Sequence, residues 1–305
     1  MELSQLEVFV AVARERRFSR AAEKLHRTQS AVSQTIRKLE DELGEALLDR
    51  SSREGVLTDA GKVLYEYAEK LINLRSEAAE SLSELRELQT GKLVIAANEF
   101  TVLYLLPLLT EFRRLHPMIK IKVDRALGSL IPDDVLRYNA EFGMLSYEPQ
   151  EPNLHSIVVY LDELVFIVPP IHPLASAPQL SIQQLGAESF VAHTVSSPYR
   201  EKVIQLFKAH KTPLHMDLEL PTLQAIKQYV AMGHGVALVP GISVETELAR
   251  RELVGIPVRE LQLQRKLRLI YRREANLSHA ARALLKVAEA VASERKGRYR
   301  FQREN

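Results

Sequence analysis

Apolar residues recur every three to four positions over the first part of the chain, a spacing that predicts helices. One helix is predicted over residues 3–14, and a short second helix over residues 19–25 with Ser19 as its N-cap. After a polar turn, a third helix is predicted from Gln29 to a point near Gly44. Two short helices separated by a tight turn indicate a helix-turn-helix.

A single long helix is predicted over residues 59–89, where Gly61 is the only glycine and no proline occurs. At 1.5 Å per residue it would span on the order of 45 Å. Alternating steps of four and three residues along it define a largely apolar seam: Ala60, Leu64, Tyr67, Leu71, Leu74, Ala78, Ser81, Leu85 and Leu88. Such a heptad seam predicts a homodimer through this helix. The alternative is one amphipathic helix that packs on its own domain.

Beyond Gly91 short apolar strands alternate with helices, and all 14 prolines lie in this part. Strands are predicted over residues 93–97, 119–123, 142–146, 158–161, 164–168, 190–192, 216–220, 236–239 and 267–271. Helices are predicted up to residue 115 and over residues 129–140, 199–211, 222–232 and 278–292. This alternation predicts an α/β class with mostly parallel sheets covered on both faces. The polar, basic tail over residues 295–305 is expected to fray.

Composition excludes several classes of protein. The absence of cysteine excludes disulfides, thiolate metal sites and thiol redox sensors. No basic leader and no apolar run of about 18 residues occurs, so we expect a cytoplasmic protein without a membrane partner. No nucleophile elbow, P-loop or H-E-x-x-H motif is present, and the histidines lack the spacing of metal ligands. We therefore expect no enzyme, no catalytic residue, no cofactor and no metal.

The net charge of the whole chain is only +2, but positive charge is concentrated in the predicted helix-turn-helix. Eight basic and two acidic residues between positions 14 and 38 give this segment a charge of +6. Polar residues of the third helix lie opposite its apolar face, where they could enter a major groove about 12 Å wide. The candidate DNA contacts here are Ser19, Arg20, Thr28, Gln29, Ser30, Ser33, Gln34 and Arg37.

These candidates suit different parts of a duplex. The amide of Gln34 can bond an adenine edge bidentately, and the hydroxyl of Ser33 can serve a base or a phosphate. Arg37, Thr28 and the start of the second helix are better suited to phosphates, which set register and salt dependence.

Residues 18–40, with the sequence FSRAAEKLHRTQSAVSQTIRKLE, resemble the helix-turn-helix of the LysR-type transcriptional regulators. Leu43, Gly44, Leu47, Arg50 and the sequence LTDAG at residues 57–61 match that family at the same spacings. Looser matches follow in LLP at residues 105–107, EFG at residues 141–143 and GVALVP at residues 235–240.

The resemblance implies a winged helix-turn-helix at residues 1–58, a linker and dimerisation helix at residues 59–90, and an effector-binding domain at residues 91–305. That domain would contain two Rossmann-like subdomains of periplasmic-binding-protein type. Subdomain I would span about residues 92–162 and 268–293, and subdomain II about residues 163–267. The wing would lie between residues 49 and 58, where only Arg53 is a good candidate for the minor groove.

The function that the resemblance implies is a sequence-specific transcription regulator that binds double-stranded promoter DNA. Members of the family act as dimers, often paired into tetramers, and a small-molecule effector in the cleft between the subdomains changes how they sit on DNA. A contact with RNA polymerase is left open.

Cleft-lining residues would come from strand ends and helix N-termini, where backbone donors gather. The candidates are Asn98, Glu99, Phe100, Thr101, Gly128, Ser129, His193, Thr194, Ser196, Ser197 and Thr222. Thr101, Ser129, Ser197 and Thr222 could equally be helix N-caps without a ligand, and Glu99 a solvated loop residue. If Glu99 does face the cleft, its carboxylate disfavours a simple carboxylate effector and suits a cationic or hydroxyl-rich one.

Two other functions are compatible with the residues alone. In one, the helical N-terminus serves only as an oligomerisation arm of a ligand-binding or catalytic α/β protein; the local charge of +6 argues against it. In the other, the helix-turn-helix binds DNA but the C-terminal domain is a scaffold that senses nothing.

Overall fold

The chain forms two compact units in a computed structural model that describes residues 1–49, 56–86, 91–273, 277–295 and 297–304. The first unit contains Met1–Gly91 and Arg137–Asn139, and the second contains Lys92–Leu136 and Ala140–Asn305. None of the described helices is long and apolar enough to cross a membrane.

The described part of the first unit is helical. Its helices are α1 (Leu3–Glu15), α2 (Phe18–Lys24), α3 (Gln29–Leu43) and α4 (Asp59–Arg86). Their apolar faces meet in one core, in which Phe9, Val32 and Leu39 are fully buried. The periodic positions thus predict the buried face of α3. In α1 they include the buried Phe9 but not Val8 and Val12, which are buried as well.

The start of α2 differs from the prediction that Ser19 is its N-cap. α1 ends at Glu15, its C-cap Arg16 adopts a left-handed φ of 54°, and the extended Arg17 then occupies the N-cap position of α2. The helix begins at Phe18, whose ring packs against the core of the first unit. Ser19 is therefore inside the first turn of α2.

Close contacts join residues 46 and 47 to α3 and to the start of α4. The Thr58 hydroxyl accepts a hydrogen bond from the Gly61 amide (3.0 Å) and donates one to the Ala46 carbonyl (2.6 Å). A Cβ atom on Gly61 would lie 2.0 Å from the Leu47 carbonyl oxygen, so this approach requires glycine. The buried carboxylate of Glu40 accepts from the Leu47 amide at 2.9 Å. These contacts give a structural reason for the LTDAG motif.

The second unit carries the α/β part of the chain. Its helices are α5 (Glu99–Leu115), α6 (Ile131–Leu136), α7 (Pro198–Ala209), α8 (Leu223–Ala231), α9 (Glu245–Ala249) and α10 (His279–Arg295). Its strands are β1 (Gly91–Ala97), β2 (Ile119–Arg125), β3 (Phe142–Leu145), β4 (Leu154–Val168), β5 (Ser189–His193), β6 (His215–Leu220), β7 (Ala237–Pro240), β8 (Val254–Ile256), β9 (Gln264–Arg272) and β10 (Tyr299–Glu304).

The main sheet is mixed and has the strand order β2-β1-β3-β9-β4-β10. β1 and β3 are parallel, and so are β5 and β6 in a separate pair. The prediction of mostly parallel sheets was wrong, because β4 and β9 pair antiparallel with each other and with their other partners.

β4 is one continuous strand where two were predicted. It pairs with β9 as far as Glu163, with β7 from Leu164, and with β8 as well from Phe166. Separate hydrophobic clusters lie on the two sides of this exchange: Phe142 and Leu269 belong to one, and Phe166 and Phe207 to another. The exchange lies near the predicted boundary between the subdomains, and that division stays a prediction.

Two further local predictions were wrong. Residues 299–304 of the tail do not fray: as β10 they pair antiparallel with β4, and the Tyr299 ring packs edge-on against Tyr160 with centroids 5.0 Å apart. The helix predicted over residues 129–140 is only six residues long, because Tyr138 adopts a left-handed φ of 62° that ends it. Neither the pairing of β10 nor the early end of α6 changes the spacing of apolar residues, so the sequence pattern does not predict them.

Candidate DNA-recognition surface and effector cavity

The third helix presents the predicted polar face. Gln29, Ser30, Gln34 and Arg37 are exposed on α3, and Ser33 is half-buried, while the opposite apolar face is packed into the core. Ser19 and Arg20 are exposed on α2. The structure therefore leaves these side chains accessible on two adjoining helices.

Thr28 has a structural task at the start of this helix. It is the N-cap of α3: its hydroxyl accepts a hydrogen bond from the Ala31 amide at 3.2 Å and lies 3.0 Å from the Ser30 hydroxyl. The amides of a helix's first turn have no acceptor within the helix and favour a negative group, such as a phosphate, just outside it.

Part of the local positive charge is neutralised within the first unit. Arg14 donates to Glu69 (2.8 Å) and lies 3.3 Å from the Tyr65 hydroxyl, and Lys24 pairs with Glu15 at 2.7 Å. Burial lowers the pKa of Arg14, but its hydrogen bonds to Glu69 and Tyr65 outweigh this and raise the pKa overall. Arg14 therefore stabilises the packing of α1 on α4, and the charge available to DNA lies on other residues.

Besides the paired Arg14 and Lys24, six basic residues of this region are exposed on and beside α2 and α3. They are Arg16, Arg17, Arg20, Arg27, Arg37 and Lys38. The predicted minor-groove residue Arg53 lies outside the described residues.

The predicted seam of α4 divides into two parts. Ala60 and Leu64 pack against the core of their own unit, whereas Tyr67, Leu71 and Leu74 are 61%, 42% and 45% exposed. Val63, which is not part of the predicted heptad seam, is 60% exposed and lies one turn before Tyr67. We call Val63, Tyr67, Leu71 and Leu74 the linker stripe. Leu88 is not among the described residues, and the side chains of Ser81 and Leu85 are likewise outside the description.

The second unit contains a cavity of about 340 Å³ at the carboxyl ends of β1 and β5. Its polar lining residues include Asn98, Ser129, Ser146, Tyr147, His193, Ser196, Ser197, Arg200 and Arg265. Apolar side chains make up most of the remaining wall, among them Phe100, Leu145, Leu164, Phe190, Val203, Leu223 and Leu238. A concave, largely apolar cavity with a few polar groups is typical of a small-molecule site.

Seven of the eleven predicted effector residues line this cavity: Asn98, Phe100, Gly128, Ser129, His193, Ser196 and Ser197. Thr101, Thr194, Thr222 and Glu99 do not. Thr101 is completely buried, and its hydroxyl accepts from the Asn98 amide at 3.1 Å. Thr222 is the N-cap of α8 and accepts from the Ala225 amide at 3.1 Å. For these two threonines, capping is the observed role.

The predicted residues that do line the cavity also have structural partners. The Asn98 side chain caps α5 and accepts from the amides of Phe100 and Thr101, both at 3.0 Å. Ser197 caps α7 and accepts from the Arg200 amide at 3.2 Å. The Tyr147 hydroxyl donates to the Gly128 carbonyl at 2.9 Å and so holds the loop before Ser129.

Glu99 is neither a solvated loop residue nor a free carboxylate. One oxygen accepts from the Leu223 amide at 2.7 Å, and the other lies 3.3 Å from Nε2 of His193. The expectation of a cationic or hydroxyl-rich effector at Glu99 stays a prediction; the carboxylate already has two partners within the chain.

Arg265 and Arg200 also line the cavity, and neither was predicted from the sequence. Arg265 donates to the buried Asp162 at 3.1 Å, and its guanidinium lies 5.0 Å from the centroid of the Tyr199 ring. Tyr104 donates to the same carboxylate; burial first, and then the charge of Asp162, raise the pKa of Tyr104 far above its usual range. Arg265 is one of four basic residues in the sequence QRKLRLIYR of β9, so no local pattern distinguishes it from the others.

Among the described residues, no group of three or more histidine or carboxylate side chains is arranged to hold a metal ion.

Two family models match most of the chain. The model described as "Bacterial regulatory helix-turn-helix protein, lysR family" matches residues 3–62, and the model described as "LysR substrate binding domain" matches residues 86–293.

Similar proteins are regulators of transcription. The "RuBisCO operon transcriptional regulator" of Allochromatium vinosum is 32% identical over 284 residues, which cover 93% of this chain and 94% of the relative. The "Crystal structure of CbnR, a LysR family transcriptional regulator" has a TM-score of 0.73 at 19% identity and covers 96% of this chain and 99% of that one. The "Structure of Synechocystis PCC6803 CcmR regulatory domain in complex with 2-PG" has a TM-score of 0.61 at 26% identity and covers 67% of this chain and 97% of that one.

Proposed function

Because this chain belongs to the LysR family of DNA-binding transcription regulators, we propose that it reads promoter DNA with the exposed face of α3 and responds to an effector in the cavity of the second unit. The family gives the general function.

The observation that carries the DNA proposal is the division of α3 into two faces. Gln29, Gln34 and Arg37 are exposed, while the opposite face holds the buried core of the unit. Gln34 supplies the base contact in this proposal, because an amide can satisfy an adenine edge with two hydrogen bonds. Arg37 and Arg20 contact phosphates.

The proposed protein partner is a second copy of this chain, bound through the linker stripe. Val63, Tyr67, Leu71 and Leu74 expose between 42% and 61% of their surface along one side of α4. Apolar side chains repeated at this spacing favour helix–helix association, because each copy removes the other's apolar surface from water. Pairing of dimers into a tetramer stays a prediction, and we assign no surface to RNA polymerase.

The proposed effector site is the cavity lined by Asn98, Phe100, Ser129, His193 and Ser197. It lies near the point where β4 exchanges one set of partner strands for another. A ligand bound at such a place can bias the arrangement of the two sets of strands if it contacts both.

The proposal is tested by measuring the anisotropy of labelled promoter duplexes at two salt concentrations. Binding should weaken steeply with salt, since each phosphate contact releases counterions. The name of the Allochromatium relative makes the promoter of a RuBisCO operon the first DNA to try. Arg37→Ala should weaken binding, whereas Arg113→Ala, at an exposed helical arginine of the second unit, should not. Absence of salt-sensitive binding to any duplex would overturn the assignment of α3.

Sensing is tested separately by a thermal-shift screen of small metabolites that includes 2-PG, the compound in the Synechocystis structure. An effector raises the unfolding midpoint by mass action, and the rise should vanish when the cavity is filled by Ser129→Phe. A compound that acts equally on the filled variant does not bind in the cavity.

A further inference from the structure

Glu99 connects two elements of the second unit that are far apart in the chain. It is the first residue of α5, and its carboxylate accepts from the backbone amide of Leu223, the first residue of α8. At 2.7 Å this hydrogen bond has the length of a charge-assisted bond. The second oxygen lies 3.3 Å from His193, at the end of β5. The contact thus joins the end of β1 to α8 and β5.

The hydrogen bonds of His193 define how it faces Glu99. Its Nδ1 lies 3.0 Å from the Val195 amide, which can only donate. Nδ1 must therefore accept, and the ring proton is carried by Nε2, which donates to Glu99. The ring is also held edge-on by Phe100, with centroids 4.7 Å apart. A neutral histidine in this tautomer satisfies both of its neighbours.

The amide of Leu223 is one of the donors that a helix cannot satisfy from within. The hydroxyl of the N-cap Thr222 accepts from the Ala225 amide, and the Leu223 amide donates to Glu99. The positive end of a helix favours an anion at this position, whether it comes from a ligand or from the chain itself. Here the anion belongs to the chain.

The inference concerns the effector class of the cavity and therefore rests on the proposed function. We infer that Glu99 is a built-in substitute for the anionic group of an effector. Its carboxylate accepts from the Leu223 amide of α8 and from Nε2 of His193. These two hydrogen bonds therefore stay formed when no effector is bound. The cavity beside it then selects effectors with an apolar body and no anionic group at this end. The apolar side chains of Phe100, Leu223 and Ile226 in its lining agree with that class.

The test removes the Glu99 carboxylate by mutation and supplies a carboxylate from solution as acetate. Glu99→Ala removes a methylene carboxylate, the fragment that acetate resembles. The Leu223 amide, followed by hydrogen exchange in the full chain, should exchange about tenfold faster or more in Glu99→Ala, because a hydrogen bond to a charged acceptor is lost. Acetate should restore slow exchange in a saturable manner, whereas chloride at equal ionic strength should not. Wild-type protein should show no response to acetate.

Two further variants separate the contact from general effects of mutation. Glu99→Gln keeps an acceptor oxygen without the charge and should give an intermediate exchange rate. Glu111→Ala removes another carboxylate from α5, one that pairs with Arg114, and should leave the Leu223 amide unchanged. Circular dichroism reports whether each variant is folded.

Three results would overturn the inference: unchanged exchange of Leu223 in both Glu99 variants, equal exchange rates with and without acetate in Glu99→Ala, or saturable acetate binding by wild type at this amide. DNA affinity of Glu99→Ala at two salt concentrations is measured alongside. If wild type itself shows no salt-sensitive DNA binding, the proposed function fails whatever the acetate result.

Discussion

Replacing Arg265 alone should destabilise the second unit more than replacing it together with its partners. The Asp162 side chain is completely buried and that of Arg265 is 5% exposed, with 3.1 Å between Nη1 and Oδ2. Arg265→Met would leave the Asp162 carboxylate without its main counter-charge. Breaking a buried pair by removing one partner costs about 3–5 kcal/mol, because the remaining charge is still desolvated.

The lower end of that range applies here. Tyr104 still donates to Asp162 in the variant, and the guanidinium of Arg298 lies 4.0 Å from its other oxygen. We therefore expect a loss of about 3 kcal/mol in the free energy of unfolding. For a domain of roughly 200 residues this corresponds to a fall of about 6–12 °C in the melting temperature.

The triple variant Tyr104→Phe, Asp162→Leu, Arg265→Met removes the charges and the phenol hydroxyl together. Since no buried charge or donor is then left unpaired, its stability should lie within about 1–2 kcal/mol of wild type. Both variants are compared by urea unfolding followed by circular dichroism. The reasoning is refuted if Arg265→Met costs less than about 1 kcal/mol, or if the triple variant is as unstable as the single one.

The remaining predictions concern the first unit. Arg37→Ala should lower affinity for every duplex and reduce the slope of log affinity against log salt by about 1; an unchanged slope would show that Arg37 contacts no phosphate. Gln34→Ala should flatten the base preference in a binding-site selection while leaving self-association intact; a dissociated protein would point to a structural role. Gly61→Ala should lower the free energy of unfolding by about 1–3 kcal/mol, because the new Cβ meets the Leu47 carbonyl; full stability in urea would contradict that contact. Leu71→Lys should raise the dissociation constant of the dimer in sedimentation equilibrium, and an unchanged constant would place the interface elsewhere.

The helix-turn-helix could be predicted because its determinants are local. In α3 the step from Val32 to Ile36 and Leu39 repeats at helical spacing, so the same residues define both the buried face and the exposed one with Gln34. The exact start of α2 could not be read in this way. It depends on the left-handed conformation of Arg16, which the spacing of apolar residues does not predict.

The sheet was predicted less well because strand pairing joins distant segments. β4 carries an almost continuous apolar run, which fits a buried parallel strand or a buried antiparallel one equally. The pairing of β10 depends on residues such as Tyr299 and Phe301, which lie within a basic tail but pack against Tyr160 and the neighbouring core. Tertiary packing overrides the polar composition of this tail.

The effector residues show why candidate positions are easier to predict than their roles. Thr101 and Thr222 follow strands, as cavity residues do, and both act as capping residues. Glu99 also follows a strand, yet its partners His193 and Leu223 are 94 and 124 residues away. A carboxylate beside a cavity predicts a cationic ligand only if it is free. Because the amide of Leu223 and the ring of His193 engage Glu99, we infer instead a ligand without an anionic group at this end.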